Sequence, residues 1–326
     1  MYDLAKLTST SSSTVGAVLN GTWKRRRISE KLAEKVLEVA HQHGYIPNRQ
    51  ASALRKNRSG VLGMIIPVYD NRYFSSIAQT FEKLAREAGF FPTITCTQRD
   101  PELEEIAARS LMSYGAECLI CVGATDPDAI AQITKPAGIR TINLDLPGTQ
   151  APSIITDNYT ASFELTKTII ERLDLDDGQR TTDLLFIGGN GNDHNTQQRV
   201  KGFVDAHEDT GLIPQDNFIQ ICGYEADSTE TCFSRFVSEN SGLPNGIFVN
   251  STISLEGVIN WFHKTGIHRL NNIPLGCFDW DPFAALLGKN MIMTRQNVPE
   301  MMRMLFKEIA SPSSNEVTQI KAELVM

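Results

Sequence analysis

Two spacings in this sequence could carry chemistry, and neither completes a site. Cys118-x-x-Cys121 has the spacing of a metal-binding pair. It falls in an apolar run that predicts a strand, where residues three apart point to opposite faces, so we interpret both thiols as buried core groups. Gly188-Gly189-x-Gly191 follows another predicted strand, as a dinucleotide-binding loop would. The third glycine of that fingerprint is replaced by His194 and no acidic ribose partner is evident, so the motif is weak.

The remaining reactive side chains do not point to catalysis. No Ser, His and Asp set has a catalytic arrangement, so the sequence predicts no enzyme activity, no cofactor and no metal site. The six cysteines are scattered, and all but one lie in or beside apolar runs, which is typical of reduced thiols in a cytoplasmic protein. No apolar run could cross a bilayer, and the first residues lack the basic and apolar regions of a signal peptide.

The charge is unevenly distributed along the chain. Residues 1–58 hold 11 Lys and Arg against 4 Asp and Glu, whereas the rest of the chain holds 20 against 34, within a total of -7. A basic head on an acidic body is typical of a protein whose one end faces nucleic acid. A charge division alone more often marks a solvated face, so the elements that carry the charge must decide.

The first 46 residues have the pattern of three short helices. Ser11 is placed to cap the second helix, which Asn20-Gly21 ends, and Ser29 is placed to cap the third. The loop Lys24-Arg25-Arg26-Arg27 lies between them. Three short helices with a tight turn between the first two predict a helix-turn-helix DNA-binding domain over 1–46. Residues 47–58 are short, polar and basic, which predicts a hinge ordered only by a partner.

After residue 58 the pattern becomes an alternation of strands and helices, which indicates an α/β body with parallel sheets. Two successive series of similar size predict two lobes, the first over 59–157 plus about 285–317, the second over 158–284 plus about 318–326. Pockets in such sheets lie at the carboxyl ends of the strands, so a cleft between the lobes would collect loops from both. The residues from 319 to 324 are expected to form a final strand.

The head, the hinge and the body together resemble the lactose/galactose repressor family. The motifs that carry the resemblance are Tyr2-Asp3-Leu4-Ala5, Thr14-Val15-x-x-Val18-Leu19-Asn20-Gly21, Arg27-Ile28-Ser29, Gly44-Tyr45-x-Pro47-Asn48, Val61-Leu62-Gly63-Met64-Ile65-Ile66-Pro67, Arg199-x-x-Gly202-Phe203, Gly246-Ile247-Phe248-Val249-Asn250 and Cys277-Phe278-Asp279. The resemblance covers nearly the whole chain and implies a helix-turn-helix head and a body like that of periplasmic binding proteins. The basic loop and the stretch around Asp279 look most like sucrose-operon and fructose repressors.

The helix-turn-helix pattern and the resemblance together predict the DNA contacts. Ser12, Ser13 and Ala17 stand early on the second helix, where side chains meet base edges in the major groove. Phosphate contacts are expected from Thr14, Asn20, Arg25 and Arg26. The resemblance also implies that Leu54 wedges into the minor groove, with Ala51 close to the groove floor and Arg55 among the DNA contacts. Unstacking a base step costs a few kcal/mol, so two hinges and hence a homodimer on a near-palindromic operator are expected.

The resemblance further implies an effector site between the lobes. Its expected residues are Tyr73, Phe74, Asp145, Asn195, Arg199, Asn250, Asp279 and Gln296. Planar polar side chains can pair with sugar hydroxyls, and the Arg199 guanidinium suits hydroxyls or a phosphate. The resemblance implies a repressor of a sugar-utilisation operon, controlled by a sugar or sugar phosphate of the sucrose or fructose type. Whether the effector induces or corepresses stays open.

Three alternatives share parts of this pattern. A sugar-binding transport protein has the same two-lobed body, but it needs a signal peptide and lacks a basic head. A fructose-responsive global regulator has the same head and body and differs in the genes it controls. An α/β enzyme needs a complete phosphate loop or a catalytic set, and the sequence provides neither.

Overall fold

The computed structural model describes residues 2–45, 59–175, 180–267, 272–287, 291–312 and 315–326. The chain divides into two units, Met1–Ser59 and Gly60–Met326, which we call the head and the body. The expected hinge over 47–58, with Ala51, Leu54 and Arg55, lies outside the described residues.

Helices and strands alternate through most of the body, as the sequence pattern predicts. The α-helices of the described residues are α1 (Tyr2–Leu7), α2 (Ser12–Leu19), α3 (Glu30–Gln42), α4 (Arg72–Glu87), α5 (Pro101–Ser113), α6 (Pro127–Thr134), α7 (Asn158–Ile170), α8 (His194–Asp209), α9 (Ala226–Glu239), α10 (Thr252–Thr265) and α11 (Val298–Ala310). The strands are β1 (Val61–Ile66), β2 (Phe91–Cys96), β3 (Ala116–Val122), β4 (Arg140–Leu144), β5 (Ser153–Thr156), β6 (Thr181–Thr182), β7 (Leu184–Ile187), β8 (Ile213–Pro214), β9 (Ile219–Gln220), β10 (Gly246–Val249), β11 (Leu275–Phe278), β12 (Met291–Arg295), β13 (Val317–Ile320) and β14 (Glu323–Val325).

The head consists of α1, α2 and α3 around a small apolar core. Both predicted caps are confirmed: Ser11 Oγ accepts a hydrogen bond from the Thr14 amide at 3.1 Å, and Ser29 Oγ accepts one from the Leu32 amide at 3.4 Å. Each cap satisfies an amide that would otherwise have no partner within its helix. Val15 and Val36 are fully buried between the helices, which fixes the turn between α1 and α2.

Two six-stranded sheets form the body. The first has the order β2-β1-β3-β4-β5-β13, and every pairing in it is parallel. The second has the order β9-β7-β10-β11-β12-β14, with only β14 antiparallel to its neighbour. Both sheets carry buried apolar side chains on their two faces, so helices cover both faces, as in a parallel α/β fold. We call the two halves the first and second lobe.

The chain passes between the lobes at three places, after β5, after β12 and after β13. The expected boundaries near 285 and 317 were therefore wrong. Met291–Arg295 pairs with β11 in the second sheet, and Val317–Ile320 pairs with β5 in the first. The expected single strand from 319 to 324 is two short strands in different sheets, because Lys321 and Ala322 carry the chain across.

The buried thiols occupy the positions that the strand pattern predicts. Cys118 packs in the apolar cluster on one face of the first sheet, with Leu62 and Met64, and Cys121 packs in the cluster on the other face, with Ile65. Both are free thiols. Burial raises the pKa of Cys118 to about 12 and also raises the pKa of Cys121, which suits inert core groups.

Helices α7 and α8 approach each other closely on the second lobe. A Cβ atom at Gly202 would lie 2.5 Å from the Tyr159 carbonyl oxygen and 3.0 Å from the Phe163 amide nitrogen. Ser162 Oγ donates to the carbonyl oxygen of Arg199 at 2.6 Å across the same contact. Glycine at this crossing therefore sets the position of the helix turn that carries Arg199.

Candidate functional site

Two aspartates mark the carboxyl ends of equivalent strands in the two lobes. Asp145 follows β4 and Asp279 follows β11, and both have left-handed backbone angles, with φ of 75° and 80°. Such angles are costly for residues with a side chain and concentrate at functional sites. The two side chains are 6% and 8% exposed. In each lobe, therefore, a residue with a strained backbone conformation places a buried carboxylate at the cleft.

Polar side chains from both lobes hold the two carboxylates. Asp145 Oδ1 accepts hydrogen bonds from the Tyr73 hydroxyl at 3.1 Å and from Asn195 Nδ2 at 3.2 Å. Asp279 Oδ1 accepts one from Gln296 Nε2 at 2.5 Å. The bond between Asp145 and Asn195 joins the first lobe to the second, so the cleft is closed by side-chain hydrogen bonds.

Arg199 is the central cation of this cleft and is 3% exposed. Its Nε donates to Asn158 Oδ1 at 2.8 Å, and its Nη1 donates to the Asn250 carbonyl oxygen at 2.6 Å. Its guanidinium carbon lies 3.6 Å from the centre of the Phe278 ring. The N-cap Asp193 of α8 accepts from the Thr196 amide, which starts the helix in the register that turns Arg199 inward.

Burial dominates the electrostatics of both carboxylates. It raises the pKa of Asp145 from 3.8 to about 6, although the Arg199 charge and the hydrogen bond from Tyr73 oppose the rise. Burial also raises the pKa of Asp279, opposed by Arg199 and by the hydrogen bond from Gln296. A ligand that donates hydrogen bonds to these groups would replace hydration that the fold has removed.

The structure brings seven of the eight expected effector residues to the wall of one cavity between the lobes. They are Tyr73, Phe74, Asp145, Asn195, Arg199, Asp279 and Gln296. The cavity measures about 30 Å³, which holds water and leaves no room for a sugar. A larger ligand therefore requires the lobes to separate or the wall side chains to move.

Asn250 is the exception among the expected residues. It is fully buried, and only its carbonyl oxygen serves the cleft, by accepting from Arg199. Its side-chain Nδ2 and Oδ1 have no hydrogen-bond partner among the described residues. The backbone of Gly189 lies close to this side chain: a Cβ atom at position 189 would be 2.6 Å from Asn250 Nδ2.

Sequence reasoning missed the residues at the mouth of the cleft. The Arg99 guanidinium lies between two rings of opposite lobes, 5.6 Å from the Phe74 centre and 4.4 Å from the Tyr224 centre. Tyr224 donates to Asp193 Oδ2 at 2.9 Å. Arg99 follows β2 at its carboxyl end, so the strand-end rule could have found it. Nothing in its immediate sequence marks the stacking.

A second set of contacts joins the lobes at the start of α4. Arg72 Nε lies 2.6 Å from Asp281 Oδ2, and Asn71 Nδ2 donates to Thr252 Oγ1 at 3.2 Å. The Asn71 side chain also caps α4 by accepting from the amides of Tyr73 and Phe74. The start of α4 is thus tied to the second lobe, and the ties fix the two aromatic residues that the sequence analysis placed in the site.

The head exposes most of its expected DNA contacts. Ser13 and Arg26 are exposed, and Arg26 Nη1 donates to Ser13 Oγ at 3.0 Å, so the basic loop reaches the start of α2. Arg25 is exposed, and Ser12 and Thr14 are half-buried. The exposed Asn20 uses its Nδ2 to cap α2, donating to the Gly16 carbonyl oxygen at 2.7 Å.

Ala17 does not fit the expectation that it meets a base edge. Ala17 is only 4% exposed. Thr22 follows the end of α2 and donates to the Ala17 carbonyl oxygen, by its amide at 2.9 Å and by its hydroxyl at 3.3 Å. The turn before the basic loop therefore folds back on α2. Little of Ala17 is exposed to a base edge, and its role in DNA binding stays a prediction.

Within the described part of the chain, no group of three or more His, Cys, Asp or Glu side chains is placed to hold a metal ion. Among the same residues no helix combines the length and the apolar character that a membrane span requires.

Comparison with known proteins places this geometry in a family. Residues 1–48 match the bacterial regulatory proteins of the lacI family, and residues 59–245 match the periplasmic binding proteins and sugar binding domain of the LacI family. The chain is 52% identical over 189 residues to the ribitol operon repressor of Klebsiella aerogenes, covering 58% of this chain and 70% of that protein. It is 26% identical over 280 residues to the sucrose operon repressor of Klebsiella pneumoniae, covering 85% and 81%.

The fold agrees with solved structures. The lac repressor dimer bound to operator and the anti-inducer ONPF superposes with a TM-score of 0.82 at 17% identity, covering 100% of this chain and 97% of that one. This likeness concerns the fold alone. Since the two family matches cover the helical head and more than half of the chain in the body, the protein belongs to the LacI family of bacterial regulatory proteins, with a DNA-binding head and a sugar-binding body.

Proposed function

We propose that this regulator represses an operon for the use of a small neutral polyol or monosaccharide, and that this effector binds between the lobes. The observation that carries the proposal is the pair of buried carboxylates, Asp145 and Asp279, with Arg199 at one cavity. Hydroxyl groups both donate and accept, so they can pair with carboxylates and with amide or guanidinium donors at once.

Charge favours a neutral effector over a phosphorylated one. The cavity wall carries three carboxylates, those of Asp145, Asp193 and Asp279, against the guanidinium groups of Arg99 and Arg199. Arg199 already donates to two partners and lies on a ring. A phosphate group would lie against this acidic wall, where both arginines already have other contacts. The relative named for a ribitol operon supports a five-carbon polyol, and those named for sucrose and fructose operons keep these sugars in the test.

A thermal-shift series on the full chain tests the effector class. The ligands are ribitol, ribulose, fructose, sucrose and fructose 1-phosphate, each at a concentration far above its expected Kd. A ligand at 100 times its Kd stabilises the folded state by about 2.7 kcal/mol, which is a shift of several degrees. We expect a neutral five- or six-carbon compound to raise the Tm most. A shift caused only by nucleotides or amino acids would contradict the proposal.

Replacing Asp145 by Asn is expected to stabilise the protein while it weakens the effector response. Folding raises the pKa of this carboxyl from 3.8 to about 6, so the folded state binds the proton more tightly than the unfolded state. The unfolding free energy therefore falls as the pH rises from about 4 to about 6, and the deficit is complete above that range. Removing the charge should raise stability at pH 7.5 by about 1–3 kcal/mol, and Asn tolerates the left-handed backbone.

The measurement is denaturant unfolding at pH 7.5 and at pH 5, with Asp205→Asn as the control. Lys201 and Tyr159 lower the pKa of Asp205 through hydrogen bonds, so its replacement should have the opposite sign. For Asp145→Asn the gain should shrink at the lower pH. An equal gain at both values would show that ionisation of Asp145 is not its cause.

For DNA, we propose that the head binds a near-palindromic operator as part of a homodimer. Exposed Ser13 and Arg26, joined by a hydrogen bond, support a contact at the start of α2. The second lobe exposes Phe283 and Leu286 to 73% and 82%, and apolar side chains exposed side by side are typical of association surfaces. The family resemblance assigns the hinge leucine, Leu54, to the minor groove.

Replacing Arg26 by Ala is expected to weaken DNA binding at every sequence and to reduce its salt dependence. A cation that contacts phosphate contributes to the slope of log K against log salt, and its loss lowers that slope by about 1 per chain. Fluorescence anisotropy across a salt series measures the slope. Arg109→Ala is the control, because Arg109 is an exposed arginine on α5 of the body. An unchanged slope would remove Arg26 from the interface.

A further inference from the structure

Two of the six cysteines belong to one apolar cluster of the second lobe, away from the cleft wall. Cys222 follows the edge strand β9, and Cys232 lies on α9. Cys222 Sγ contacts Thr229 on α9, and Cys232 Sγ contacts Gln220 on β9, so the same contact between the two segments brings both thiols together. Nine residues separate them in sequence, so their proximity is a product of the fold and was not visible as a motif.

Neighbouring polar groups surround both sulfur atoms. Cys222 Sγ lies 3.7 Å from Thr229 Oγ1. Cys232 Sγ lies 3.4 Å from Gln220 Oε1 and accepts from Arg235 Nη2 at 3.7 Å. Cys222 is half-buried and Cys232 is 5% exposed, so small reagents reach the pair from the Cys222 side.

The surroundings of the two thiols shift their pKa values in opposite directions. The neighbouring Cys222 thiol and the charge of Arg235 lower the pKa of Cys232, whereas the Cys232 thiol and burial raise the pKa of Cys222. The thiolate is the reactive form of cysteine, and a low-pKa thiol beside a second thiol is the arrangement found in redox-sensing pairs. Cys277 differs, because burial raises its pKa and it has no cysteine partner among the described residues.

We propose that Cys222 and Cys232 form a peroxide-sensitive dithiol that oxidises to an intramolecular disulfide. The Cys232 thiolate attacks one oxygen of hydrogen peroxide, so that an S–O bond forms, the O–O bond breaks and hydroxide leaves. The Cys222 sulfur then attacks the resulting sulfenic acid, the S–S bond forms and water leaves with the Cys222 proton. In sum, two thiols lose two electrons and two protons, and peroxide becomes two waters. The sulfur atoms must approach to about 2.05 Å.

The disulfide would act on the cleft through the segment that carries Tyr224. That segment pairs with Gly189 through two hydrogen bonds of Gly223, at 2.8 and 3.0 Å. Tyr224 itself lies under the Arg99 guanidinium and on the cavity wall. Pulling Cys222 toward α9 would therefore shift one side of the cleft mouth. This consequence rests on the proposed function, whereas disulfide formation does not.

The test treats the reduced full chain with hydrogen peroxide and follows free thiols and peptide masses. We expect two of the six thiols to disappear first, a linked Cys222–Cys232 peptide that has lost two hydrogen atoms, and recovery with dithiothreitol. Their oxidation should be at least about tenfold faster than that of the buried thiols. In Cys222→Ser, the sulfenic acid of Cys232 should persist and react with dimedone. In Cys232→Ser, fast oxidation should be lost.

Cys277→Ser is the control, because it removes a thiol and leaves the pair intact. Preferential oxidation of Cys96, which is half-buried, or a disulfide between two chains would overturn the proposal. The effect on the cleft is measured separately, by the effector-induced Tm shift of the oxidised and the re-reduced protein. A disulfide that forms without changing that shift would reject only the link to the cleft. Failure of every carbohydrate to shift the Tm would leave the disulfide result intact and reject the proposed function.

Discussion

Replacing Arg199 by Met is expected to lower the free energy of unfolding of the body by about 3–5 kcal/mol, because it leaves buried charge without compensation. The guanidinium opposes the rise in the pKa of both Asp145 and Asp279. Without it, the two buried carboxylates share a cleft in which the described residues place no other buried cation between them. At about 2–4 °C per kcal/mol, the Tm should fall by roughly 10 °C.

The variant should also lose the effector response, since the site loses its central donor. Lys201→Met is the matched control on the same helix. Lys201 forms an exposed ion pair with Asp205 at 2.7 Å, and such pairs contribute at most about 1 kcal/mol. Adding Asp145→Asn to the Arg199 variant should restore part of the stability and none of the response. If Arg199→Met and Lys201→Met lower the free energy of unfolding by the same amount, Arg199 does not stabilise the body by compensating buried charge.

Replacing Gly202 by Ala is expected to destabilise the body by about 2–4 kcal/mol, although Ala is the better helix former by about 1 kcal/mol. The new methyl group would lie 2.5 Å from a carbonyl oxygen of α7, and backbone atoms cannot move aside as the end of a side chain can. The helices must separate, which shifts the turn that holds Arg199. Stability and effector affinity should therefore fall together.

Gly242→Ala is the control for this substitution. A Cβ atom at that glycine meets nothing within 4 Å, so the change should be close to neutral. Thermal unfolding and effector titration of both variants measure the effect. A stable Gly202→Ala protein with normal effector affinity would show that the contact between α7 and α8 is more tolerant than its distances imply.

Local pattern was enough to predict the elements that do not depend on distant partners. Ser11 and Ser29 cap helices because capping needs only the residues beside them. Cys118 and Cys121 fall on opposite faces because alternation is a property of any strand. The strand-end rule together with the family resemblance placed Asp145, Asp279 and Arg199 in one region, and the cavity wall contains all of them.

What sequence could not supply depends on which distant parts pair. Met291–Arg295 is an apolar run that either sheet could accept, and only its register against β11 assigns it to the second lobe. Arg99 reaches its place by stacking on rings from both lobes, which no local period encodes. Ala17 is buried, and Thr22 just past the end of its helix bonds back to its carbonyl oxygen, in a turn of which hydropathy gives no sign.

Three connectors between the lobes constrain how they can move. A single connecting segment would let the lobes twist, slide and bend relative to each other. Three adjacent connecting segments favour rotation of the lobes about one axis. Gln296 stands on the second connector and its side chain bonds to Thr156 at the first and to Asp279 on the cavity wall. Gln296, which lines the cavity between the lobes, therefore lies on one of the connectors. Small displacements of a connector change the relative position of the two lobes. Substitutions along the connectors are therefore expected to change the sensitivity to the effector without removing a contact with it.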